Sequence, residues 1–138
     1  MAAFVFTDAD IVINTVNLSD HGISVTVDLG LEPQDITAFG HTARATAPGL
    51  KTGDLQIEFL QDYASAKVDK TIGPVALDGS TFTVVIKPTS AAVSATNPSY
   101  TATMWVSSYQ AIGGSVGDQA KASVTFANNG SDGWARAE

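Results

Sequence analysis

The side chains whose types could do chemistry here are two histidines, a scatter of N-terminal aspartates and one glycine-rich run. His21 and His41 fall in different predicted loops. They lack the H-x-x-x-H or H-x-x-E spacing that would set two ligands on one face of an element, so each reads as an ordinary loop residue. Asp8, Asp10 and Asp20 could gather a calcium ion. No EF-hand-like loop with a closing bidentate Glu follows them, and turn and strand-end roles fit better. Gly113-Gly114-Ser115-Val116-Gly117 has the composition of a phosphate cradle. It lacks the G-K-[ST] ending and stands between two predicted strands, which makes it a turn needing positive φ. There is no G-x-S-x-G motif, and no pair of carboxylates stands out. The sequence therefore predicts a non-enzymatic protein with no cofactor and no metal site.

Composition narrows the partners. The chain has 138 residues, enough for a single domain that stands without staples. It has no cysteine, which removes disulfides, thiolate metal sites and cysteine nucleophiles together. Only 15% of its residues are charged, well under the roughly 25% of an average domain, so Ser, Thr, Asn and Gln must wet the surface. Asp and Glu outnumber Lys and Arg by 14 to 7, for a net charge of −7. Gripping phosphate needs clustered cations, and here they are scattered from Arg44 to Arg136. Acidity still allows nucleic acid to slide past without sticking. The N-terminus, M-A-A-F-V-F-T-D-A-D, is apolar only over residues 2–6 and has no basic lead. It reads as neither signal peptide nor membrane span, which places the product in the cytosol.

The elements that must position these residues are mostly strands. Residues 11–16 alternate as one strand with two apolar faces, and N-L-S-D-H-G at 17–22 is turn chemistry. In I-S-V-T-V-D-L, residues 23–29, Ile23, Val25, Val27 and Leu29 should face the core and Ser24, Thr26 and Asp28 the solvent. Gly30 to Gln34, with Pro33, reads as a break. A long polar excursion follows, turning at Pro48-Gly49 and returning as a strand over residues 54–61 with Glu58 outward. A connection of that length is unusual, since hairpin loops run to about 2–5 residues. It carries Phe39, Arg44 and Leu50, which suggests contact with something outside the domain.

Ala64, Val68 and Ile72 recur with helical period, with Asp62 or Ser65 as the cap, and Gly73-Pro74 should stop or kink that helix, though Val75 to Leu77 could continue it after the kink. Strands are expected over 81–87, 100–109 and 119–127, separated by a small-residue loop at 88–98 and the glycine-rich connection. Trp105, Phe59, Phe82 and Phe126 lie in these strands, where core packing is the ordinary role. The sum is a mainly β fold, an antiparallel sandwich or barrel with one flanking helix, and a short tail over residues 128–138.

Four stretches carry a resemblance: F-V-F-T-D-A-D-I-V-I-N-T-V-N-L-S-D at 4–20, A-F-G-H-T-A-R-A-T-A-P-G-L-K at 38–51 with the strand after it, P-T-S-A-A-V-S-A-T-N-P-S-Y at 88–100, and G-G-S-V-G-D-Q-A at 113–120. In order and spacing they resemble the tail tube proteins, or major tail proteins, of long-tailed, siphovirus-type bacteriophages. The resemblance implies one tail tube domain over residues 1–138, hexameric rings stacked into a tube, and DNA passing through during genome ejection without specific binding.

It also implies a virion protein, assembled in the host cytoplasm, whose partners are itself and the tape measure, tail terminator and baseplate or tip proteins. In the family the long early loop reaches neighbouring subunits or rings. Here that is residues 39–51, with Phe39, Gly40, His41, Thr42, Arg44, Pro48, Gly49, Leu50 and Lys51 as contact candidates. Asp28 and Glu58, outward on amphipathic strands, are the candidates for a negative lumen wall. The rival readings are a tail terminator or completion protein of the same machine and a carbohydrate-binding β-sandwich module. Aromatics open to a sugar would be Tyr63, Tyr100, Tyr109 and Trp134.

Overall fold

The computed structural model describes residues 4–138. It is mainly antiparallel β with one helix, as the alternation predicts. The first strand is shorter than expected. β1 (Asp10–Ile13) stops at Asn14 and Thr15, both at positive φ (50° and 67°), and returns as β2 (Val16–Asn17), with Ile13 opposite Val16. A two-residue loop with both φ values positive matches the twist of a hairpin, and Asn is among the residues that accept that conformation. The alternation read through a turn.

β3 (Gly22–Asp35) and β4 (Thr46–Leu60) are far longer than the sequence suggested. The expected break at Gly30 to Gln34 and the expected turn at Pro48-Gly49 both lie inside these strands. The reason is edge geometry. β3 ends the sheet, and β4 gains its second neighbour, β7 (Lys121–Asn128), only from Asp54 onward. Proline costs a ladder hydrogen bond only where a partner needs its N–H, so a two-stranded stretch tolerates it. Pro33 and Pro48 stand directly opposite each other there, next to an irregularity between Leu31 and Pro33. The result is a projecting arm: a ribbon of residues 29–35 against 46–53, capped by the loop at 36–45.

The helix α1 (Val68–Asp78) also corrects the sequence reading. Asp62 does not cap it. Its carboxylate accepts the N–H of Ala64 (2.9 Å), closing a turn before the helix, and the residue in the cap position is Lys67, with no side-chain cap. Of the two outcomes left open at Gly73-Pro74, the helix takes continuation through Val75 to Leu77. Pro74 sits inside the helix, which runs on to a C-cap at Gly79, where a left-handed φ of 75° lets the amide reach the Val75 carbonyl at 3.0 Å.

β5 (Phe82–Lys87), β6 (Ser99–Tyr109) and β8 (Ala135–Ala137) complete the sheet, in the order β2-β1-β5-β6-β7-β4-β3 with β8 beside the start of β6. The sheet curls until β3 meets β1: a Cβ on Gly22 would lie 2.8 Å from Ile11 Cδ1. Inside the curl, Leu55, Ile57 and Phe59 of β4, Val124 and Phe126 of β7, Met104 of β6, and Val68 and Ile72 of α1 form one buried cluster. Phe82 and Phe126 meet edge to face at 5.8 Å. Burying each such side chain contributes about 1.5–3 kcal/mol.

The other face of β3, β4, β7 and the second half of β6 is bare. The face expected inward on β3 is itself only half covered. Val25 and Val27 pack on the core, but Ile23 and Leu29 are exposed because the strand lies at the edge.

Candidate functional surfaces

The residues singled out for catalysis or metal binding are spread apart and bonded locally. His41 is exposed on the arm, where its Nδ1 accepts the Ala38 N–H at 3.2 Å. His21 lies at the other end of β3, between Asp20 and Asp62. Asp8 bonds Ser90, and Asp10 bonds Asn17, Ser19 and Lys87. Among the described residues no three His, Cys, Asp or Glu side chains gather as a metal site. The run at 113–117 connects β6 to β7. Tyr109 donates its hydroxyl proton to Asp69 (2.8 Å) and accepts from Gln61 (3.0 Å), with burial pushing the phenol up to about 12. This joins the helix to the sheet.

Two surfaces remain. The first is the arm. Phe39, Gly40, His41, Thr42 and Arg44 lie on its tip loop, and Pro48, Gly49, Leu50 and Lys51 lie in β4. The tip has its own framework: Thr37 N–H bonds the Asp35 carboxylate (2.9 Å), Ala45 N–H bonds Thr37 Oγ1 (2.8 Å), and Arg44 pairs with Asp35 (3.0 Å). Hydrogen bonding from Thr37 holds the Asp35 carboxyl below its ordinary value. The Arg44 pair is open to solvent and adds little. The apolar side chains here have nothing to cover them. Phe39 is fully exposed, as is most of Leu50 (76%), and Leu29, Leu31 and Ile36 are each half exposed. An isolated two-stranded ribbon is marginal in water.

At the arm's root the C-terminal segment crosses the inner face. Trp134 lies on Gly53 so closely that a Cβ there would stand 2.3 Å from Trp134 Cδ1, and the indole N–H is buried with no hydrogen-bond partner among the described residues. Trp134, Leu29, Leu31 and Lys51 frame a groove of about 350 Å³.

The second surface is the bare sheet face. Its cross-strand rows are Trp105–Ala127–Asp54–Asp28, then Thr125–Gln56–Thr26, then Ser123–Glu58–Ser24. Asp28 and Glu58 therefore share one face, as their outward positions imply. Asp54 was missed. It stands directly opposite Asp28, and its signal was the outward parity it shares with Gln56 and Glu58. Trp105, expected in the core, is 39% exposed on this face, a correction that follows from its parity opposite Met104 and Val106. Like charges opposite one another on neighbouring strands cost stability. They are kept here on a face rich in Ser and Thr.

No protein-family model and no curated protein sequence matches the chain. Solved structures do match it. A chain from the virion of a native gene transfer agent particle superposes with a TM-score of 0.79 at 13% identity, covering 99% of this chain and 100% of that one. A chain from the SPP1 tail tube gives 0.76 at 11% identity, covering 97% and 78%. A chain from the tail of an empty gene transfer agent particle, computed with C6 symmetry, gives 0.70 at 12% identity, covering 86% and 83%. The fold of this chain is thus the fold found in the virion tails of gene transfer agents and in the SPP1 tail tube, the fold that the resemblance in its sequence implied.

Proposed function

We propose that the chain is a tail tube subunit: copies join edge to edge into hexameric rings, the rings stack through the arms, and DNA passes along the bare sheet face. The observation that carries this is the pair of open edges on one half of the sheet. β3, β4, β7 and residues 105–109 of β6 form a four-stranded antiparallel unit. Among the described residues, β3 has no neighbour on its outer edge, and β6 pairs with β5 only up to Met104. An even number of alternating strands presents edges of opposite direction, so β3 of one copy can continue the sheet beside β6 of the next, still antiparallel. Repeating the join closes a barrel and removes edges that a monomer would leave open to aggregation.

The β6 edge is also built to receive a strand. A groove of about 600 Å³ runs beside it, lined by Pro74 and Leu77 of α1 and by Val106 and Tyr109. Leu77 is 91% exposed, and the exposed Ile23 and Leu29 of an incoming β3 would face that side. The wall of such a barrel would carry Asp28, Asp54 and Glu58. Few cations are there to trap phosphate, and DNA would stay mobile. The tip residues from Phe39 to Arg44, with Leu50, would contact the next ring. Tape measure, terminator and baseplate or tip proteins would be the partners at the ends of the tube.

The test is negative-stain electron microscopy of purified protein over a range of concentrations, alongside Leu77→Asp. Hollow filaments or stacked rings from the parent chain, lost in the variant while its circular dichroism is unchanged, are expected. Particles that stay monomeric at all concentrations, even with an assembly initiator from a tail, would overturn the reading.

A further inference from the structure

His21 is held by carboxylates on both ring nitrogens. Nδ1 lies 2.7 Å from Asp20 Oδ1 and Nε2 lies 2.8 Å from Asp62 Oδ2, with the side chain only 16% exposed. A ring nitrogen facing a carboxylate at that distance must donate, and a neutral imidazole has one N–H to give. Both contacts together therefore call for the imidazolium. The carboxylates are themselves fixed. Asp20 also binds Lys67 Nζ at 3.3 Å, and Asp62 also accepts the Ala64 N–H. From β1, the nearest charged group is Asp10, already engaged with Ser19 and Lys87. With His21 protonated, the row Lys67–Asp20–His21–Asp62 alternates in sign and is neutral. Without the proton it has one excess negative charge and a lone pair aimed at a carboxylate.

Position turns this chemistry into a device. His21 closes the short 3-10 turn at Ser19–His21, immediately before β3. Asp62 follows β4 by two residues, and Lys67 precedes α1. The contact therefore spans the open end of the β3–β4 hairpin, opposite the tip loop, where Gly22 pairs with Phe59 and the register then slips before Ser24. A groove of about 880 Å³ borders it, lined by Asp20, Gly22, Ile23 and Phe6, so the start of β3 is held by its pairing with β4 and by this clamp, with open space on the groove side.

We infer that His21 is a proton-controlled latch: protonated, it clamps the first residues of β3 to the turn after β4, and on losing its proton it releases that part of the strand. If copies join through the β3 edge, a point that rests on the tube reading, proton loss also loosens that joint.

The same bonds fix the direction. The hydrogen bond from Asp20 is the largest influence and holds His21 above its ordinary value of 6.5, burial opposes it, and the bond from Asp62 adds to the rise. The Asp20 carboxyl is held low chiefly by His21, and the Asp62 carboxyl first by the Ala64 N–H and then by His21. A raised histidine contributes stability that is complete below pH 6.5 and lost as pH rises through its folded value.

The test needs only the monomer. His21 should titrate above 6.5 by NMR. The melting temperature of the parent chain should exceed that of His21→Gln by roughly 3 °C at pH 6, a gap that closes by pH 9. Hydrogen-exchange protection at Ile23 and Val25 should fall about tenfold over the same range in the parent but not in the variant. Asp62→Asn, which keeps the turn to Ala64 but removes a charge, should lower the His21 titration while preserving the fold. A His21 that titrates at or below 6.5, or parallel melting profiles for parent and variant, would overturn the latch. Filament assembly insensitive to pH, with the monomer behaving as expected, would leave the latch intact and count only against β3 as the joining edge.

Discussion

At the scale of single residues, contacts that no sequence pattern announces do much of the positioning. Gly53 is one. Its lack of a side chain lets Trp134 lie flat against the arm's root, so Gly53→Ala should displace the indole. We expect a loss of about 1–3 kcal/mol in denaturant unfolding, from overpacking. Asp28 opposite Asp54 is another. Asp54→Asn should raise stability by a few tenths to about 1 kcal/mol at low salt, with the gain shrinking as salt screens the pair. A destabilised Asp54→Asn would mean the carboxylate is held by something other than its strand neighbours. Under the tube reading, Asp28→Lys with Glu58→Lys should slow DNA ejection while tubes still form. Unchanged ejection would remove these residues from the lumen wall.

At the scale of elements, the sequence is legible where a strand buries one face and illegible where it does not. Residues 54–60, 82–87, 99–109 and 121–128 alternate because Leu55, Val84, Met104 and Val124 enter a common core, and these strands were predictable to within a few residues. The arm was hidden because neither of its faces is buried. Without a hydrophobic period, Gly30, Pro33, Pro48 and Gly49 read as breakers, although an unflanked ribbon accommodates them. The Asn14–Thr15 turn was hidden for the opposite reason: apolar residues on both sides of it kept the pattern going. Of the candidate surfaces, the parity of Asp28 and Glu58 could be read from sequence, whereas the Asp28–Asp54 pairing and the His21 clamp needed the register. The arm also makes its own prediction. Deleting residues 42–47 should leave melting of the body within a few degrees of the parent chain but abolish polymerisation, and intact tubes would show that the tip is not the stacking contact.

For the whole molecule, the sheet has two unlike halves. β1 and β5 each have a neighbour on both sides and the end strand β2 is only two residues long, whereas β3, β4, β7 and the end of β6 leave long open edges, a bare face and an uncovered arm. Under the tube reading, this unfinished half is where neighbouring copies would join. Under the same reading, the Asp28–Asp54 pair and Glu58 on the bare face of each copy would repel those of its neighbours. Edge pairing must outweigh their repulsion, so assembly should strengthen as salt rises from low values. Light scattering at fixed protein concentration across a salt series would measure this, and assembly weakening with salt would point to joints made by ion pairs.

The arm's two prolines have a mechanical meaning as well. Pro33 faces Pro48, and neither has an N–H. That row of the ribbon is held by geometry and not by a ladder bond, with the firmer strands behind it and the hydrogen-bonded tip ahead. With fewer backbone bonds than the rows beside it, that row is where the ribbon should bend first. Under the tube reading, with rings tied by such arms, neighbouring rings could tilt by flexing these thin ribbons in turn while every body stayed rigid. Bending would then be spread along the tail at one weak row per subunit, and no ring contact would need to break.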